Sequence, residues 1–198
     1  ASNNTGIGYN ALNANTTGIE NVAVGRNALS ANTTGSSITA IGDQALESNT
    51  TGLRGVAVGS QALENNTTGD YNIAVGYSAL ENNTEGGNNT AVGYKSLEAN
   101  TTGTRNTAIG ANAADACTDG ANDNVAIGYD ALGSNTGGDY NVIIGNYAHS
   151  ASNGAGYNVA VGYQALHANT TSDNLAIGYH AGLNITTGNN NVCIGNNA

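Results

Sequence analysis

NVAVGRNALSANTTGSS, residues 21–37, holds in one copy the pattern that fills the chain. Its Asn-Val-Ala-Val is a β-branched strand signal, and its Asn-Thr-Thr-Gly is a turn signal of residue types that tolerate φ > 0. Between them lies Gly25, preceded by Val24 and followed three positions on by Ala28 and then Leu29. The same arrangement recurs around Gly8, Gly42, Gly59, Gly76, Gly93, Gly110, Gly128, Gly145, Gly162, Gly178 and Gly195. Nine of the eleven intervals between these glycines are 17 residues, one is 18 and one is 16. A fixed period is the mark of a repeat architecture. Seventeen residues are too few for a strand, a helix and two loops, but suffice for one turn of a coil with one or two short strands. The reading is therefore an all-β, parallel β-solenoid of about twelve coils, with residues 1–198 forming one continuous array. At ~4.8 Å per coil it makes a rod of roughly 55 Å.

Stacking turns each repeat position into a column. Val or Ile precedes the marker glycine in every copy, and Leu usually stands four after it, as at Leu29, Leu46, Leu63 and Leu80. These two columns are expected to fill the interior. The residue between the two β-branched strand positions is nearly always Ala, as at Ala23, Ala40, Ala57 and Ala74, and must point to the opposite face. A column kept small and apolar is expected to meet another backbone. That backbone is either the far wall of the same coil or, as favoured from the sequence, a neighbouring subunit.

Composition agrees with a thin, repetitive interior. The 198 residues include 29 Gly and no Pro, Phe, Trp or Met, and only 9% are charged, against roughly 25% in ordinary domains. The net charge of −10 opposes a phosphate backbone, so nucleic-acid binding is not expected. No apolar run approaches the ~20 residues of a spanning helix, so membrane insertion is not expected either.

The repeated unit, seen as NVAVGRNA, NIAVGYSA, NTAVGYKS and NVAIGYDA, resembles the head repeats of trimeric autotransporter adhesins. With the following Leu-x-x-Asn-Thr-Thr-Gly it is more similar still to repeat arrays of bacteriophage tail fibres. That resemblance spans nearly the whole chain. It implies a β-roll in a homotrimeric fibre, a place outside the cell or on a virion surface, and a role as shaft or host-attachment element. Adhesin repeats are shorter than these, so no residue role is carried across. The array starts and stops inside a copy with no visible cap. A segment of a longer fibre is thus expected, or alternatively units that assemble end to end into a filament.

Chemistry-bearing residues are sparse. His149, His167 and His180 fall in three different columns, and no enzyme, cofactor or metal site is expected. Cys117 and Cys193 lie between four and five coils apart, ~20 Å along the rod, beyond the ~7 Å that a disulfide allows. Glu47, Glu64, Glu81, Glu98 and Asp115 form an acidic column, read as a solvated ladder and set against carboxylates that share Ca²⁺. Tyr77, Tyr94, Tyr129, Tyr163 and Tyr179 directly follow their glycines and are the candidate contacts for a cell-surface glycan, set against simple stacking along an edge. Asn15, Asn32, Asn49, Asn66, Asn100 and Asn169 each open an Asn-Thr-Thr triplet, a formal N-glycosylation acceptor, although Asn in such a place also suits a tight turn.

Overall fold

A computed structural model of the chain describes residues 1–118, 120–151 and 153–198. Each coil contributes one three-residue strand, from β1 (Thr5–Ile7) and β2 (Val22–Val24) through β6 (Thr90–Val92) to β11 (Leu175–Ile177) and β12 (Val192–Ile194). The twelve strands form one parallel sheet in chain order. Register is set by the repeat: Ala23 faces Ala40, which faces Ala57, and the 16-residue interval still pairs Ala160 with Ala176.

The wall opposite the sheet is not a strand. After the marker glycine the chain folds into consecutive tight turns, with Ala28 N–H donating to Gly25 O, Ser30 N–H to Asn27 O and Asn32 N–H to Leu29 O. Alternate amides reach the next coil instead: Leu29 N–H donates to Ala45 O at 3.0 Å and Ala31 N–H to Glu47 O at 3.0 Å. This alternation places non-glycine residues in the left-handed region two and four positions after the glycine, as at Gln61 (φ 60°) and Leu63 (φ 53°). A third such site lies five before it, as at Glu20 (φ 60°). The Asn-Thr-Thr-Gly turn, expected to use that region, holds no positive φ at Asn32, Thr33, Thr34 or Gly35. Left-handed backbone at Leu costs roughly 1–2 kcal/mol, whereas full burial of its side chain contributes roughly 1.5–3 kcal/mol. Leu63 is 0% exposed, so burial wins.

This second wall corrects the expected interior. The strand Ala column, from Ala23 to Ala176, is fully buried against the second Ala column and the Leu column of the same chain. The Val/Ile residues before the glycine, expected inside, face outward: Ile41 is 40% exposed and Ile177 41%. The turned wall lies against the sheet, with the strand Ala methyls and the equally buried side chain of Ile143 between them. The Ala column therefore meets its own coil and not a subunit. Leu29, Leu46, Leu63, Leu80, Leu97, Leu132 and Leu166 are buried as expected.

Two buried asparagine ladders close the coil's edges. Four residues before the glycine, Asn21 accepts from Ile38 N–H at 3.0 Å and donates through Nδ2 to Gly35 O at 2.9 Å. Asn72, Asn89 and Asn106 continue that pattern. The ladder is broken at Ile38 and Gly55, and beside Gly55 lies a void too narrow for water. A Cβ at Gly55 meets only Leu46 Cδ1 at 3.6 Å and Asn72 O at 3.9 Å, ordinary contacts. Gly55→Asn should therefore rebuild a rung, accepting from Asn72 N–H and donating to Gly69 O. The expected gain is ~1–2 kcal/mol, seen as a melting temperature roughly 2–8 °C higher. An unchanged or lower midpoint would contradict the ladder's role.

Candidate functional surfaces

The outward sheet face carries two columns of side chains per strand, three and one before each marker glycine. Every residue in both is Val, Ile, Leu or Thr. The flanking column directly after the glycine, by contrast, runs through Tyr9, Arg26, Asp43, Ser60, Ala111 and Asn146. Strand propensity alone would admit Thr at all outward positions, yet the column next to the glycine is Val or Ile throughout. The outcome is a continuous aliphatic strip of roughly 55 Å, free of charge, between variable polar borders.

The tyrosines stand on those borders. Tyr77 stacks on Tyr94 with centroids 5.6 Å apart and planes 14° from parallel, and Tyr163 on Tyr179 at 5.6 Å and 12°. A second column, five before the glycine, stacks Tyr140 on Tyr157 at 5.1 Å and 24°. Tyr147 stands edge-on between Tyr129 and Tyr163. In each stacked pair one face of each ring is covered by its partner, so a sugar could stack only on an outer face.

The asparagines of the Asn-Thr-Thr triplets point inward. Asn32, Asn49, Asn66, Asn100 and Asn169 are buried, and Asn15 is half-buried. Asn49 Nδ2 donates to Asn32 Oδ1 at 2.9 Å and Asn66 Nδ2 to Asn49 Oδ1 at 2.9 Å, and Asn83 joins the same ladder although no Thr-Thr follows it. A glycan on Nδ2 of a buried rung would remove these bonds, so the five buried acceptors are closed in the folded rod, while Asn15 is half-buried. The following Thr hydroxyls are also engaged, with Thr50 Oγ1 donating to Thr67 O at 3.0 Å. Cys117 takes a rung of this ladder, which leaves Asn100 Oδ1 without a donor. Burial pushes its thiol up to about 12. Both cysteines are free.

The acidic column is held rather than splayed. Gln44 and Gln61 both donate to Glu64, at 3.2 and 3.0 Å, Asn27 donates to Glu47 at 3.2 Å, and Lys95 pairs with Glu98 at 2.9 Å. Burial, then the neighbouring Asp130, pushes the half-buried Asp115 carboxyl up to about 6. Among the described residues no group of three or more His, Cys, Asp or Glu side chains could hold a metal ion. No helix among them is long and apolar enough to cross a membrane.

One pairing escaped the sequence reading. Ser150 and His167 share the column five after the glycine, and Ser150 Oγ lies 2.9 Å from His167 Nδ1. The same Nδ1 lies 3.2 Å from Tyr147 O. Ser150 is buried, at 6% exposed. Counting residues from each glycine would have revealed the contact; comparing only the histidines did not.

His149 occupies a Leu position and is 0% exposed, with neither ring nitrogen in hydrogen-bonding geometry. Burial pushes its imidazole down to about 4, opposed by the Asn169 carboxamide. A base whose folded value lies below its unfolded value binds protons more readily when unfolded. Stability from this group is thus complete above pH ~6.5 and falls by about 3 kcal/mol as pH drops toward 4. Asp115 acts in the opposite sense, adding stability as pH falls from about 6, by less because it is half exposed. His149→Leu should restore the column, stabilise by ~1–3 kcal/mol at neutral pH, and flatten the acid limb of a denaturation series. An acid limb as steep as that of the unaltered chain would refute this.

No protein-family model, curated protein or solved structure matches the chain. Function has to be read from its own surfaces.

Proposed function

We propose that the protein is a non-catalytic fibre segment, a rigid shaft in which three copies of the solenoid join through their aliphatic sheet faces. The observation that carries this reading is the outward strip itself. Two β-branched or aliphatic side chains per strand over twelve strands stay partly open to water in the single chain. Covering each gains roughly 0.5–1 kcal/mol, on the order of 10–20 kcal/mol for the strip, above most of the ~4–15 kcal/mol that association costs. A strip that is uniform along the rod suits a partner with the same period, and another copy of the chain has it. The resemblance to tail-fibre and adhesin repeats supports the same assembly, on a virion or cell surface.

The test is to place charge on the strip. Val58→Glu combined with Val75→Glu alters adjacent outward positions without touching the interior. The expected result is dissociation into single chains that keep their β-sheet circular dichroism. Assemblies of unchanged mass would count against this face as the joint, and long end-to-end polymers would favour a filament.

A further inference from the structure

We propose that the stacked tyrosine pairs are sites of oxidative coupling, each able to close into an intrachain dityrosine bridge between neighbouring coils. Three pairs share the geometry: Tyr77 with Tyr94, Tyr140 with Tyr157 and Tyr163 with Tyr179, at centroid separations of 5.6, 5.1 and 5.6 Å and interplanar angles of 14°, 24° and 12°. All six rings are open to an oxidant, from 41% exposed at Tyr163 to 60% at Tyr157. The coil register fixes the partners on adjacent strands, so two radicals formed on one pair are already in contact. Such pre-positioning makes the encounter effectively unimolecular.

The chemistry balances with a peroxidase and hydrogen peroxide as the one-electron oxidising system. Each phenol gives up one electron and its hydroxyl proton, leaving a phenoxyl radical. The two radicals form a carbon–carbon bond between ring carbons ortho to the oxygens. The hydrogens displaced from those carbons return to the oxygens, restoring both phenols. Two hydrogen atoms are lost per bridge, and one peroxide accepts them to become two waters. The bridges tie β5 (Ile73–Val75) to β6, β9 (Val142–Ile144) to β10 (Val159–Val161), and β10 to β11. Both partners belong to one chain, so the inference does not depend on three copies associating.

Two other tyrosines serve as internal references. Tyr9 is the most exposed, at 74%, but its column neighbour on the next coil is Arg26. The Tyr71 hydroxyl accepts from Arg54, whose guanidinium also lies over its ring. Neither has a tyrosine stacked against it.

The experiment oxidises the dilute full-length protein with peroxidase and peroxide, then reads dityrosine fluorescence, intact mass and the positions of cross-links by tandem mass spectrometry. The expected products are single chains lighter by two hydrogens per bridge, with bridges at the three pairs. Their yield should fall on the order of tenfold when the chain is unfolded in urea before oxidation. Tyr163→Phe, which preserves the ring, should remove the Tyr163–Tyr179 product and leave the other two. Equal yields from folded and unfolded chains would overturn the proposal. Products that mainly join different chains, or coupling of Tyr9 as frequent as that of the stacked pairs, would overturn it too.

Discussion

Replacing Gly59 with alanine should cost more than ~4 kcal/mol, a loss that only a few mechanisms produce. Gly59 has φ +138°, and a Cβ there would sit 2.3 Å from Gly76 O and 2.7 Å from Gly76 C. Neither backbone can yield, because Gly59 N–H donates to Ile41 O and Gly76 N–H to Val58 O, both at 2.8 Å. β4 (Val56–Val58) cannot shift without breaking register with β3 (Thr39–Ile41) and β5 together. Each repeat of a solenoid touches only its neighbours, so the damage should divide the rod. Thermal unfolding is expected to change from one transition to two, with the coils around residue 59 melting first. Gly55→Ala is the matched control, four residues away on the same coil. Its Cβ has room and its φ is not left-handed, so it should be neutral or stabilising by ~0.4–1 kcal/mol. Similar effects at the two sites would mean that the glycine column is not a steric requirement.

The second large effect is expected from Asn66→Asp, which changes one atom of the inner ladder. Asn66 is 2% exposed. Its Nδ2 donates to Asn49 Oδ1 at 2.9 Å and Gly69 O at 3.1 Å, while its Oδ1 accepts from Asn83 Nδ2 at 2.8 Å. An ionised carboxylate keeps the one accepted bond and turns its second oxygen toward two acceptors. The expected cost at neutral pH is ~3–5 kcal/mol, that of a buried charge without a partner. Burial and the facing oxygens would raise its folded pKa above the unfolded ~3.9. The ionisation penalty is therefore absent below pH ~3.9 and grows as pH rises toward the folded value. Denaturant titrations at pH 4 and pH 7 check this, with the variant recovering on acidification. Asn65→Asp changes a surface carboxamide bonded to Asn82 and should move stability by less than ~0.5 kcal/mol. Equal losses at 65 and 66 would remove the inner ladder from the account.

Much of this architecture was legible in the sequence because a repeat reports its own register. The marker glycine fixed the strand pairing, the Leu column fixed the interior wall, and the apolar strand fixed the sheet. Which side of that strand faced inward was not legible. Alternation says that Ala57 and Val58 point in opposite directions, but the choice depends on how near the opposite wall lies. That distance follows from the left-handed residues at Gln61 and Leu63, and neither is a residue type that announces such backbone. The Asn-Thr-Thr triplets had two readings because Asn serves a turn and a glycosylation acceptor alike. Burial of the carboxamides separates the two. The tyrosine columns were visible, yet the orientation of their rings depends on coil spacing and not on composition.

Assembly through the aliphatic strip is tested most directly by the mass of the unaltered protein in solution, measured by light scattering at several concentrations. The account predicts one discrete species near three times 19.6 kDa, stable on dilution. A species of 19.6 kDa at every concentration would leave the strip in contact with water and contradict the shared face.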